Sequence, residues 1–194
     1  MSQRAVVVAG PNGSGKTTFA REYLKTYTYD YLSADDIAHE IGPGRMDEVR
    51  LQAGRLFFQR LSDHIGRGRS LLIESTLAGR GFQRIIRRLN KSEYDITIIF
   101  IFLESPEICV ARIKERVKRG GHNVPTADVV RRFYRSIRNF WNHYRHQVDR
   151  WKLVYNSTLE LKEVAVGEED IIAISDEEFF ELFIQNVGKE ENNE

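Results

Sequence analysis

The sequence predicts an α/β fold with a mostly parallel five-stranded core sheet and helices on both faces. Three observations carry that prediction. The octapeptide Gly10-Pro11-Asn12-Gly13-Ser14-Gly15-Lys16-Thr17 lies between an apolar run, Ala5 to Ala9, and a helix-compatible stretch, Thr18 to Lys25. Short apolar segments then alternate with amphipathic ones, the pattern of βα units. The longest apolar run, Ile96 to Leu103, is too short to cross a bilayer and suits a buried strand.

The octapeptide matches G-x-x-x-x-G-K-[ST] in full, which makes this a P-loop NTPase fold. Three glycines let the backbone curl until successive N–H groups face one concavity and cradle phosphate oxygens, and the following helix adds its N-terminal partial charge. Lys16 can reach β- and γ-phosphates, and the Thr17 hydroxyl can ligate Mg²⁺. Pro11, Asn12, Ser14 and Thr18 complete the cradle around Gly10, Gly13 and Gly15. The bare pattern arises by chance in roughly one chain of this length in a hundred, and a chance copy would seldom fall between a strand and a helix.

The elements follow in order. Arg4 to Ala9 is the first strand and Tyr29 to Ser33 a short second one. From Gly44 to Gly66 the residues Val49, Ala53, Leu56, Phe57, Leu61 and Ile65 recur at helical spacing, and Gly66-Arg67-Gly68 ends the helix. Ser70 to Glu74 is the third strand, Gly81 to Leu89 a helix, and Ile96 to Leu103 the fourth strand. Pro106 suits a first helical turn and opens a helix to about Val117. After the irregular stretch Arg119 to Pro125, a long helix runs from Thr126 to about Val148, with Val130, Phe133, Ile137, Phe140, Trp141 and Tyr144 as its apolar stripe. Trp151 to Tyr155 is the last core strand. The remainder reads as a hairpin around Gly167, Lys162 to Val166 with Ile171 to Ile174, and a closing helix, Glu177 to Val187. Residues 188–194 read as a frayed tail.

The 194 residues read as one domain, with a lid at about 112–136 and a C-terminal appendage at about 159–194. Cys109 is the one cysteine, which excludes an internal disulfide, and it reads as a small buried hydrophobe. The short polar lead Met1 to Arg4 contains no signal peptide, and the expected location is cytoplasmic. Net charge is +1, yet Arg112 to Arg150 holds eleven Lys/Arg against three Asp/Glu, and Glu160 to Glu194 twelve acids against two lysines. Beside a phosphate loop, the basic segment reads as arginines that neutralise nucleotide phosphates rather than as a nucleic-acid surface.

Asp35, in Ser33-Ala34-Asp35-Asp36-Ile37-Ala38, falls at the carboxyl end of the second strand, where doubly wound sheets meet their ligand. A carboxylate there can take the proton of a hydroxyl that attacks the γ-phosphate, while Asp36 reads as the helix cap. Glu74 ends the third strand. An acid at that end is costly to bury unpaired, and it can hold Mg²⁺ through water or bind a substrate hydroxyl. Thr76 and Arg80 follow at the same rim. Arg112, Arg116 and Arg119 share one helix face and, with Arg131, Arg132 and Arg135, frame Gly120-Gly121 as a small lid. The arginine fork grips phosphate oxygens bidentately and stabilises a transferring phosphoryl group. His122 sits at the lid tip, within reach of substrate. His143 and His146 lack a third ligand and read as surface residues.

Gly-Pro-Asn-Gly-Ser-Gly-Lys-Thr-Thr (10–18), Ser-Ala-Asp-Asp-Ile-Ala (33–38), Glu-Ser-Thr-Leu-Ala-Gly-Arg (74–80) and Arg-Val-Lys-Arg-Gly-Gly-His-Asn-Val-Pro (116–125), followed by Arg-Arg-Phe-Tyr-Arg-Ser (131–136), together resemble the zeta-toxin family of P-loop kinases. The resemblance is greater to its compact bacterial branch, usually described as predicted ABC-type ATPases, and spans about residues 4 to 158. It implies Mg·ATP-dependent phosphorylation of a small-molecule hydroxyl, in the founding toxins the 3′-hydroxyl of UDP-N-acetylglucosamine. It implies the base at Asp35, substrate contacts at Glu74 and Thr76, and γ-phosphate contacts at Arg119 and at Arg132, with Arg131 its competitor. It also allows an antitoxin protein as partner. Ser33 stands where the branch often has Asn, and Val154-Tyr155-Asn156-Ser157 where an Asp-Asn-Ser run is expected. The other readings compatible with the loop are a kinase of nucleic-acid ends, which the near-neutral total charge disfavours, and an ATP-binding interaction module.

Overall fold

The computed structural model describes residues 3–156 and 160–189, with Met46 and Asp47 described by their backbone alone. Ser157 and the tail residues 190–194 lie outside the described residues. Strand β1 (Arg4–Ala9) runs through the glycine loop into α1 (Lys16–Thr26). Then come β2 (Asp30–Ser33), α2 (Ala34–Ile41), α3 (Met46–Gly66) and β3 (Leu71–Ser75). A 3₁₀ turn, Arg80–Phe82, leads into α4 (Gln83–Lys91), followed by β4 (Asp95–Phe102), α5 (Pro106–Lys118) and α6 (Thr126–Asn139). The chain closes with β5 (Arg150–Tyr155), β6 (Lys162–Glu168), β7 (Ile171–Ile174) and α7 (Glu177–Gly188).

The strands form one sheet in the order β2-β3-β1-β4-β5-β6-β7. The first five are parallel; β6 and β7 add antiparallel at one edge. The central strands are buried on both faces, which is why they read as near-continuous Val, Ile, Leu and Phe. One face carries the larger core, where residues of α2 to α7 such as Ile37, Leu61, Ile86, Ile113, Phe133 and Phe183 pack on Val7, Ile73, Ile98 and Phe100. On the other face α1 sets Ala20 against Val6, Val8, Leu72, Ile99 and Ile101. All five parallel strands point their carboxyl ends at the glycine loop, so the site has a rigid floor.

Four sequence readings need correction. The helix from Thr126 does not run evenly to Val148: it is α-helical to Asn139, widens into a π turn at Phe140–Tyr144, and tightens into a 3₁₀ turn at Arg145–Gln147. Its inner face carries Val129 where the periodicity suggests Val130. Gly167 is not the hairpin turn. It lies within β6, where an added Cβ would sit 2.2 Å from the Trp151 ring, and the chain turns at Glu169, with φ +51°. The cap of α2 is Ser33, whose hydroxyl accepts from the Asp36 amide at 3.2 Å, so Asp36 is a first-turn residue. Finally, residues 160–188 are not an appendage, since β6 pairs along the whole of β5 and α7 buries Phe183 in the main core.

Candidate active site

Two glycines show why the loop needs its composition. At Gly10 (φ +141°) a Cβ would lie 2.0 Å from the Ile101 carbonyl oxygen, and at Gly15 (φ +94°) 2.5 Å from Asn156 Nδ2. Gly15 directly precedes α1, and among the described residues no side chain caps that helix, which leaves its first N–H groups available to a phosphate. The Ser14 amide donates to the Pro11 carbonyl at 3.2 Å and closes the turn. Ser14 Oγ and Asn12 Oδ1 are buried with no partner, polar capacity the fold itself does not use. Thr18 is exposed on the first turn of α1.

Lys16 lies inside this loop, 8% exposed, with Nζ donating to the Pro11 carbonyl at 2.9 Å. Burial pulls its pKa down, opposed by the carboxylates of Glu74 and Asp35. Thr17 Oγ1 is 3.0 Å from both oxygens of Glu74, and the Tyr31 hydroxyl donates to Glu74 Oε2 at 2.7 Å. Strand register accounts for the meeting. Val8 of β1 is level with Glu74 of β3, and Ser33 of β2 lies level with it on the far side. A threonine hydroxyl and a carboxylate form a hard-oxygen pair suited to Mg²⁺ at a phosphate site. Asp35 is exposed on the first turn of α2, and among the described residues no side-chain hydrogen bond or ion pair ties it to the fold.

Beyond Glu74 a pocket of about 380 Å³ opens between α3, the segment after β3, and α4. Thr76 lines it, as does Ala34, next to Asp35. The segment after β3 is held from α6 and its π turn. Ser136 Oγ donates to the Thr76 carbonyl, Asn139 Nδ2 to that of Leu77 at 2.9 Å, and the Tyr144 hydroxyl to that of Gly79 at 2.6 Å. Leu77 sits at φ +52°, a conformation that costs a non-glycine residue about 1–2 kcal/mol. Three side-chain bonds across one stretch of backbone hold that strain in place. Arg80 does not join this rim: the 3₁₀ turn sends its guanidinium to His143 Nε2, 3.3 Å away, and Arg84 lines the pocket instead.

The lid arginines stand where their helix positions put them. Arg112, Arg116 and Arg119 line one hollow of about 340 Å³ with Glu115 and Gly121. Arg116 donates to the His122 carbonyl at 2.7 Å, and the His122 side chain is exposed. Arg119 pairs with Glu115 at 3.2 Å, while Arg131 and Arg132 both pair with Asp128, at 2.6 and 3.4 Å. The exposed Arg119–Glu115 pair contributes about 0–1 kcal/mol, so a phosphate can displace that carboxylate at little cost. Cys109 lies under the loop with its thiol pushed up to about 12 by burial, which keeps it protonated and structural.

Sequence reading missed four features of the site: Tyr31, Arg84, the bonds from α6, and Asn156. Asn156 Nδ2 donates to the Ser14 carbonyl at 2.7 Å, and its own carbonyl accepts from Arg112 at 2.6 Å. One residue thus ties the loop to β5 and to the lid helix α5. Removing the Ser14 bond by Asn156→Ala is expected to loosen the loop by about 0.5–1.5 kcal/mol, a several-fold weaker nucleotide affinity by calorimetry. Unchanged affinity would mean that the loop holds its own shape.

The chain belongs to the family described as AAA domain, whose profile matches residues 6–138. An uncharacterized protein of Haemophilus influenzae (strain KW20 / Rd) is 32% identical over 138 residues, 69% of this chain and 94% of that protein. Among solved structures, the AvrRxo1-ORF1:ORF2 complex with ATP is similar at a TM-score of 0.75 with 14% identity, covering 93% of this chain and 63% of that one. The PezAT chromosomal toxin-antitoxin system of Streptococcus pneumoniae matches at 0.59 with 17% identity, over 82% of this chain and 72% of that chain. A gluconokinase from Sinorhizobium meliloti matches at 0.51 with 14% identity, over 80% and 83%. The fold is that of the P-loop kinases, zeta-toxin-like kinases among them. No helix among the described residues is long and apolar enough to cross a membrane.

Proposed function

We propose that this chain transfers the γ-phosphoryl group of ATP to a hydroxyl of a small molecule. The observation that carries this reading is the meeting of the glycine loop, Lys16 and the Thr17–Glu74 pair with a separate pocket lined by Glu74 and by Ala34, the residue before Asp35. A nucleotide binder needs the first half of that site, and a phosphotransferase needs both.

The loop amides and the α1 N-terminus bind the phosphates. Lys16 swings from the Pro11 carbonyl onto the β- and γ-phosphate oxygens, exchanging one hydrogen bond for charge-assisted ones. Thr17 and Glu74 would hold Mg²⁺, which when bound neutralises charge on the phosphate oxygens. Asp35 takes the proton of the acceptor hydroxyl as its oxygen bonds to the γ-phosphorus. The bond from that phosphorus to the bridging oxygen breaks, and ADP departs with the electron pair. Arg119 and Arg132 leave Glu115 and Asp128 to meet the charge on the phosphoryl group, and Arg116 closes the lid around the phosphates.

The zeta-toxin resemblance supplies a nucleotide sugar such as UDP-N-acetylglucosamine as one acceptor class, and an antitoxin as a partner in the manner of the toxin–antitoxin neighbours. The test is incubation with Mg·ATP and a panel of hydroxyl-bearing metabolites, read by mass spectrometry. A phosphate increment on one acceptor, lost in Lys16→Ala, is expected. ATP bound but never transferred to any acceptor would sink the reading.

A further inference from the structure

The acceptor side of the site has a charge balance that the phosphotransfer reading does not use. Among the described residues, Arg84 is the one cation lining the pocket and Glu74 the one anion. Glu74 is already engaged by Thr17 and Tyr31 at its loop end. Arg84, exposed on the outer side of α4, makes no ion pair or side-chain hydrogen bond among the described residues. It therefore brings to the pocket lining a positive charge that no carboxylate pairs among the described residues.

Three phenylalanines stand among the small and apolar residues of the lining. Phe57, Phe58 and Phe82 wall the pocket, with Phe57 and Phe58 edge to face at 5.7 Å. Phe58 remains 43% exposed although its neighbour Phe57 is in the core. An aromatic side chain kept open beside an unpaired arginine provides a surface for a ring with an anion at its edge. Size narrows the choice. A volume of about 380 Å³ equals about thirteen water volumes, near the low end for ligand pockets. That volume matches one substituted six-membered ring more closely than a ring joined to a nucleotide.

We infer that Arg84 is a specificity-determining residue, and that the acceptor is a compact single-ring polyol carrying a phosphate or carboxylate that Arg84 binds. The inference rests on the phosphotransfer reading for the word acceptor, and it departs from the nucleotide sugar of the zeta-toxin resemblance. The ring would lie against Phe57 and Phe58, its anion on the guanidinium and its reactive hydroxyl toward Asp35. Bidentate contact would favour arginine over lysine there.

The test is calorimetric binding of four probes to the full chain with a non-hydrolysable ATP analogue: glucose 6-phosphate, quinate, glucose and UDP-N-acetylglucosamine. The expected result is that glucose 6-phosphate or quinate binds at least about tenfold more tightly than glucose, the order of one charge-assisted contact. Which of the two does so identifies phosphate or carboxylate. Arg84→Gln is expected to abolish the preference, and Arg84→Lys to restore part of it. Tightest binding of UDP-N-acetylglucosamine, an anion preference untouched by Arg84→Gln, or no binding of any probe would each overturn the inference. Parallel mass measurement separates the two ideas. Arg84-dependent binding without phosphate transfer sinks the kinase reading alone, whereas transfer that ignores Arg84 sinks this one alone.

Discussion

Replacing Asp35 by alanine is expected to cut phosphoryl transfer by about 10²–10⁴-fold, the usual contribution of a positioned general base, and to leave ATP affinity within about twofold. In free energy this is about 3–5.5 kcal/mol of transition-state stabilisation. Asp35 is suited to a clean experiment because it is exposed and, among the described residues, no side-chain hydrogen bond or ion pair ties it to the fold. Truncation therefore leaves no buried partner unsatisfied, and any loss of turnover is chemical. Its neighbour supplies the control. Asp36 occupies the same first turn of α2 and is equally exposed, so Asp36→Ala tests whether a general loss of acidic charge matters. Single-turnover formation of phosphorylated acceptor, with nucleotide binding measured separately, reads both terms. Equal turnover in wild type and Asp35→Ala would remove Asp35 from the reaction. Glu74 would not replace it without cost, because its carboxylate is committed to Thr17 and Tyr31.

The parts of this site legible in the sequence are those set by local backbone demands. Gly10 and Gly15 are dictated by steric contacts within the loop and against Ile101 and Asn156, and the pattern of glycines announces them. Glu74 stands out because an acid closes an apolar strand, and the strand register then brings it to Thr17. Arg112, Arg116 and Arg119 share a helix face by spacing alone, and they do share a hollow. What stayed hidden depends on contacts between distant segments. Arg80 and Arg84 are both arginines beside apolar residues, and only the 3₁₀ turn at Arg80–Phe82 decides which one faces the pocket. Asn156 has meaning only once β5 lies beside the loop. The π turn at Phe140–Tyr144 has no local signal, since it accompanies bonds that reach across to the segment after β3. The packing of the C-terminal helix stayed hidden for a related reason. Its acidic surface is plain in the sequence, but the partners of Phe183 are not.

Phe183→Ala is expected to destabilise the whole domain by about 3–5 kcal/mol, the cost of emptying a large aromatic site in a packed core. Phe183 is 0% exposed, and its ring lies 5.2 Å from Phe102, 5.7 Å from Trp141, 6.0 Å from Phe100 and 6.1 Å from Phe140. Those partners belong to β4 and to the π turn that follows α6, so the cavity would open beneath the central sheet rather than at its margin. Against a total stability of about 5–15 kcal/mol this is a large fraction, and it should lower Tm by about 6–20 °C. Urea unfolding followed by fluorescence and by far-ultraviolet dichroism separates two architectures. If α7 is integral, both probes move together to a lower midpoint with one transition. If α7 were a detachable appendage, helix would melt early and the parallel core would keep its wild-type midpoint. Ile171→Ser is the matching control, because Ile171 is 74% exposed on the edge strand and its loss should stay within about 0.5 kcal/mol. The damage should also reach the site. Asn186 Nδ2 donates to the Glu104 carbonyl at 3.2 Å, so α7 steadies the turn from which lid helix α5 starts. Phe183→Ala enzyme held below its lowered Tm should therefore close its lid less well, with a raised apparent KM for ATP measured under conditions where it remains folded.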